Sequence, residues 1–169
     1  LVVVSGRPGA AAHALHLMLS GEQPDATERA ALDYPVPRLA LGRALRGLAT
    51  SCIDLSDGLL ADLGHLLERA GVGALLELQN LPCPASMSSL SPRERWSLQL
   101  SGGDDYELCF TVPPGERARL DGLAQSCGIE LTVIGEITSE RGLVARQPDG
   151  SAYRPRKSGY EHFREDGVG

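Results

Sequence analysis

The stretch Ser51-Cys52-Ile53-Asp54-Leu55-Ser56-Asp57-Gly58-Leu59 constrains this chain most. An apolar run closes on two aspartates three positions apart, with a serine between them and a glycine after them. Leu59, Leu63, Leu66, Leu67 and Ala70 then recur at the spacing of one helix face. The pattern predicts a strand that delivers Asp54, Ser56 and Asp57 to the start of a helix. Unsatisfied backbone amides and the positive end of the helix dipole meet at such a junction. Two carboxylates this close repel each other unless a cation or a proton lies between them. Mg2+ is the natural cation, because it takes oxygen ligands and shares them with phosphate. The plainer alternative is that Asp57 only caps the helix.

A second polar loop, Ser101-Gly102-Gly103-Asp104-Asp105-Tyr106, precedes a strand expected over 107–112. Adjacent glycines let a ligand come close to the backbone, and two acids there can hydrogen-bond a cationic or hydroxyl-bearing substrate. The alternative is a tight turn with solvated acids. Tyr160, in the aromatic segment 158–163, can stack on a flat ligand ring or simply anchor the C-terminus by its apolar body.

Other stretches read as alternating strands and helices. Strands are expected at 1–4, 74–78 and 131–137, and helices at 10–19, 39–48, 92–100 and 116–127, with a short one starting near Asp25. Ala14, Leu15, Met18 and Leu19 make the expected apolar side of the first helix, with His13 and His16 at the surface or the helix end. Asp62 and His65 are expected to be exposed or to pair with each other. Asp149-Gly150 marks a hairpin between 143–146 and 151–153. A terminal hairpin and irregular spacing argue against a doubly wound sheet. The fold class expected is α+β, a mixed sheet with helices packed on it, as one domain over 1–169.

Composition narrows the chemistry. The 169 residues carry a net charge of −6, with no basic cluster longer than Arg154-Pro155-Arg156-Lys157, so a nucleic-acid partner is not expected. Lys157 is the only lysine, and GxxxxGK[ST] is absent, leaving metal, arginine or backbone amides for any phosphate chemistry. No apolar run approaches the roughly 18 residues of a membrane-spanning helix. Cys52, Cys83, Cys109 and Cys127 form no CxxC pair and read as buried reduced thiols, which points to the cytoplasm. The histidines have no spacing for a metal site or a catalytic triad.

Four segments together resemble thiamine-monophosphate kinase. They are 53–59 with Asp62-Leu63, 101–108, Val133-Ile134-Gly135-Glu136-Ile137, and Gly159-Tyr160-Glu161-His162-Phe163. They occur in that family's order, and the resemblance is to its C-terminal domain, within the superfamily of aminoimidazole ribonucleotide synthetase. It implies ATP-dependent phosphorylation of thiamine monophosphate to thiamine diphosphate with several Mg2+ ions. Asp54 and Asp57 would be metal ligands, Ser56 would contact ATP, Asp104 would contact the substrate and Tyr160 would stack near its ring. The family usually has glutamate where Asp104 stands, one methylene longer. An N-terminal domain that carries most metal ligands, much of the ATP site and the homodimer interface is missing from this chain. The chain alone is therefore expected to be inactive. Other readings are a non-catalytic module that binds a phosphorylated ligand, or another enzyme of the superfamily, of selenophosphate synthetase or hydrogenase-maturation type.

Overall fold

The computed structural model describes residues 1–154. Its strands are β1 (Val2–Ser5), β2 (Ser51–Asp54), β3 (Gly73–Glu77), β4 (Leu108–Thr111), β5 (Leu131–Thr138) and β6 (Gly142–Arg146). Its helices are α1 (Ala10–Leu19), α2 (Ala26–Asp33), α3 (Leu39–Ala44), α4 (Leu59–Ala70), α5 (Pro92–Ser101) and α6 (Arg119–Cys127). The strands form one sheet in the order β2-β4-β1-β5-β3-β6. Among the described residues only β3 and β6 pair in parallel, so the sheet is mixed, as expected, but almost wholly antiparallel.

The uninterrupted valines of β1 follow from its central position. Val2 and Val4 join Leu59, Leu63, Leu67, Trp96 and Leu100 in one core, under α4 and α5. Val3 points the other way, into a second core with Leu41, Leu45, Phe110 and Leu120, under α3 and α6. Successive strand residues face opposite sides, so a strand covered on both faces must be apolar throughout. Cys109 and Phe110 on β4 divide between the two cores in the same way.

Several boundaries move from their expected places. Residues 45–48 leave the helix, although Leu45 and Leu48 stay buried. The helix expected from Glu116 begins at Arg119, after a 3-10 turn at Pro114–Glu116. The hairpin at Asp149-Gly150 exists, with Arg146 bridged to Ala152 and the Tyr153 ring edge-on to Trp96 at 6.0 Å. No helix among the described residues is long and apolar enough to cross a membrane.

The expected face of α1 holds at Ala14 and fails at its three larger residues. Ala11, His13 and Ala14 are buried, whereas Leu15, Met18 and Leu19 are exposed, Leu19 at 80%. The helix packs on α2 and α5 rather than directly on the sheet, which turns a different stripe inward. His13 is thus a buried histidine, its Nδ1 3.0 Å from Glu28 Oε1 on α2. The cysteines also divide: Cys109 is buried, Cys83 and Cys127 are half-buried, and Cys52 is exposed at the sheet edge formed by β2.

Candidate functional site

The strand-to-helix junction forms where the sequence places it. β2 ends at Asp54, and α4 begins at Leu59 after Gly58, whose φ of 114° suits glycine. A Cβ on Gly58 would also lie 3.0 Å from the Ser101 backbone, so the residue is needed for close approach too. Asp54 is exposed; Ser56 and Asp57 are half-buried. Asp57 does not cap α4, whose cap residue is Gly58.

Asp62 takes that part instead. It is 3% exposed, and its Oδ2 accepts the amides of Ser56, Asp57 and Gly58 at 3.0, 3.1 and 3.1 Å. The expected exposed Asp62, paired with His65, is therefore corrected. One turn inside the helix, Asp62 lies beside Leu59 and Leu63 and reaches back along the helix axis, as helical side chains do. Desolvation raises its pKa above the usual carboxylate range, opposed by the three amide hydrogen bonds. The amides expected to be open to phosphate are already occupied by this internal carboxylate.

The second polar loop is bonded to the first. The amides of Asp104 and Tyr106 donate to the carbonyls of Ser56 and Leu55 at 3.0 and 2.9 Å, and the Leu55 amide donates to the Glu107 carbonyl at 2.8 Å. Gly103 is what permits this contact, since a Cβ there would lie 2.3 Å from the Ser56 carbonyl oxygen. Asp104 and Tyr106 have φ of 65° and 49°. Aspartate tolerates that left-handed region, but tyrosine there is strained, and such strain persists only where surrounding bonds enforce it.

The two adjacent acids have different environments. Asp105 Oδ2 accepts the Gly9 amide at 2.7 Å at the start of α1, where Gly9 has no side chain to cap with. Burial pushes its carboxyl up to about 7, despite hydrogen bonds from the Gly9 and Ala11 amides. Asp104 is exposed beside Ser56. The sequence could not decide which acid faces a ligand; the geometry leaves Asp104 outward and makes Asp105 a cap for α1.

Glu107 was not singled out in the sequence, yet it buttresses both loops. It is 7% exposed, pairs through both oxygens with Arg38, and accepts the Ser5 hydroxyl. Ser5 Oγ in turn accepts the Leu108 amide at 2.9 Å. The hydrogen bond to Glu107 raises the Arg38 pKa further. The clue available in the sequence was Arg38 itself, held by Pro35 and Pro37 just before a helix.

A cleft of about 420 Å3 runs alongside Asp54, walled by Tyr106, Leu39, Arg38, Arg43 and Arg46. A larger hollow of about 720 Å3 between α6 and β5 contains no residue of either loop. Tyr160 lies outside the described residues.

The donor set suits Mg2+ chemically. Asp54, Asp57 and Ser56 are hard oxygen donors on one short loop, and Mg2+ commonly takes one or two carboxylates and fills its other positions with water and phosphate oxygens. Among the described residues no group of three or more histidine, cysteine or acidic side chains could enclose an ion. Two acids beside a cleft can share an ion with a ligand, but they are not a closed cage.

Comparison with known proteins identifies the family and the fold. The family model described as AIR synthase related protein, C-terminal domain, matches residues 1–147. Thiamine-monophosphate kinase of Escherichia coli K12 is 38% identical over 170 residues, covering 96% of this chain and 52% of the kinase. The crystal structure of thiamine-monophosphate kinase from Stenotrophomonas maltophilia K279a superposes with a TM-score of 0.81 at 39% identity, over 90% of this chain and 50% of that one. AaThiL complexed with AMPPCP and TMP gives a TM-score of 0.76 at 27% identity, over 96% of this chain and 50% of that one. The chain spans about half the length of the curated relatives it matches.

Proposed function

This chain belongs to the AIR synthase related protein family, as its C-terminal domain, and from that premise we propose that it is the C-terminal half of a thiamine-monophosphate kinase. The reaction would transfer the γ-phosphoryl group of ATP to the phosphate of thiamine monophosphate. A preceding N-terminal domain, through which the whole protein would form a homodimer, would complete the site.

The observation that carries this reading is the hydrogen-bonded union of the two loops. It bonds Asp104 to Ser56, which lies between Asp54 and Asp57 in the sequence, and Asp54 itself lines the cleft. Phosphoryl transfer asks for positioning and charge neutralisation rather than a covalent nucleophile. Asp54 and Asp57 would hold Mg2+, which when bound neutralises phosphate charge. The Ser56 hydroxyl, whose own amide is held by Asp62, would hydrogen-bond ATP. Asp104, kept outward by its left-handed backbone, would accept a hydrogen bond from the acceptor substrate or face its cationic ring. Tyr160 would stack on that ring.

The test is thiamine diphosphate formation by the whole gene product and by this chain. The whole protein should turn over, and the chain alone should not. Asp54→Ala and Asp57→Asn should each lower kcat by about 100-fold or more, because they remove charge stabilisation that acts in the transition state. Their melting temperatures should stay close to wild type. Turnover by the chain alone, or variants that lose stability yet keep kcat, would defeat the reading.

A further inference from the structure

Three amides that converge at a strand-to-helix junction form an anion-binding concavity, of the kind that elsewhere cradles phosphate. Here the concavity is filled from inside by the Asp62 carboxylate, with all three amides on a single oxygen at 3.0 to 3.1 Å. The carbonyl side of the same turn is occupied too, Leu55 and Ser56 accepting from Tyr106 and Asp104. Each backbone amide from Leu55 to Gly58 thus has an acceptor within the protein, and the side chains of Asp54, Ser56 and Asp57 beside them all carry oxygen.

We propose that Asp62 is a positioning residue that makes this junction a cation site rather than an anion site. By drawing the amides of residues 56–58 inward, it fixes the turn on which Asp54 and Asp57 are displayed, without touching the ion itself. This rests on the reading of Asp54 and Asp57 as cation ligands. It goes beyond that reading in assigning the geometry of the ligand loop to one buried carboxylate on α4. Outer residues that orient metal ligands commonly change metal affinity or activity by about 10- to 100-fold when they are replaced.

Two measurements on this chain test the proposal without any appeal to turnover. The first is amide hydrogen exchange at Ser56, Asp57 and Gly58. The second is paramagnetic broadening of the Asp54 and Asp57 resonances during a Mn2+ titration. Asp62→Ala should accelerate exchange at those three amides and raise the Mn2+ concentration for half-maximal broadening by about 10-fold or more. Asp62→Asn keeps an oxygen in place but replaces charge-assisted hydrogen bonds with neutral ones, which are roughly half as strong, so it should fall between wild type and Asp62→Ala. If Asp62→Ala does not fold, a rise of about 3-fold in Asp62→Asn carries the same conclusion.

Unchanged exchange at the three amides overturns the proposal. So does accelerated exchange with an unaltered Mn2+ titration, which is what a purely structural aspartate would give. Absence of broadening at Asp54 and Asp57 in the wild type overturns it together with the metal reading. A whole protein that makes no thiamine diphosphate while the Mn2+ series holds would refute the kinase assignment alone.

Discussion

Replacing Gly103 by alanine should separate the two loops, and the structure sets the scale. The new Cβ would lie 2.3 Å from the Ser56 carbonyl oxygen, a backbone atom that cannot swing aside. Restoring ordinary contact requires a displacement of about 1 Å in a close-packed region. That movement takes the Asp104–Ser56 hydrogen bond from 3.0 Å to beyond bonding distance and strains the neighbouring Tyr106–Leu55 bond of 2.9 Å. Two such bonds are worth about 1 kcal/mol each, for a loss of about 2–3 kcal/mol once strain is included. In a domain of this length that should lower the melting temperature by about 5–10 °C. Gly103 does not have positive φ, so backbone preference adds little to the penalty. Gly64→Ala is the control. Gly64 sits within α4 with no atom near its missing Cβ, and alanine there should stabilise by about 0.5–1 kcal/mol. Thermal melting followed by circular dichroism compares the two. A Gly103→Ala protein that melts with the wild type would mean the loops are not in contact as described, and the argument for a shared site would fail with it.

Asp105 gives a pH signature. Its folded pKa, about 7 against an unfolded 3.8, means that the native state binds the proton more tightly. Its contribution to stability is therefore complete below pH 4 and is lost as pH rises through 7, with a slope of up to about 1.4 kcal/mol per pH unit. Asp105→Asn should flatten urea-derived stability between pH 4 and 7; an unaltered slope would refute the assignment. Arg38→Ala should cost about 3 kcal/mol, because Glu107 would be left buried without its cation. Arg38→Ala with Glu107→Leu should recover much of that loss in chemical denaturation, and a double variant no better than Arg38→Ala would show that the ion pair is not the cause.

The sequence revealed those elements whose residues act locally. The leucines of α4 share a face because the helix repeats them, and α5, expected over 92–100, forms over Pro92–Ser101. The valines of β1 show that a strand is buried, though not which two cores it divides. What the sequence hid depends on packing between distant segments. Asp105 caps a helix through the amide of Gly9, 96 positions earlier, and Glu107 meets Arg38 across 69. No periodicity records either contact. The first helix misled because its large apolar residues Leu15, Met18 and Leu19 are the exposed ones and the small Ala11 and Ala14 the buried ones, and only its contact with α2 and α5 decides which side is covered. Asp54 and Asp57 stood out as a pair because they are close in sequence. Asp62 was expected at the surface because an acid on a helix usually faces water, and nothing in its spacing shows three amides converging on it.

The acids of the site therefore fall into two kinds that sequence proximity does not distinguish. Asp62 and Asp105 are turned onto backbone amides, and desolvation raises the pKa of each. Asp54 and Asp104 are exposed, on the strand end and in the left-handed turn that those buried acids help to hold. The two kinds depend on each other. A carboxylate can be offered to a ligand in a fixed direction only if the backbone carrying it cannot relax toward it, and here hydrogen bonds on both sides of the turn prevent that relaxation. Their donors and acceptors belong to this chain's two loops and to α4. The chain spans about half the length of its curated relatives, and within that span the two loops brace one another through their own backbone hydrogen bonds.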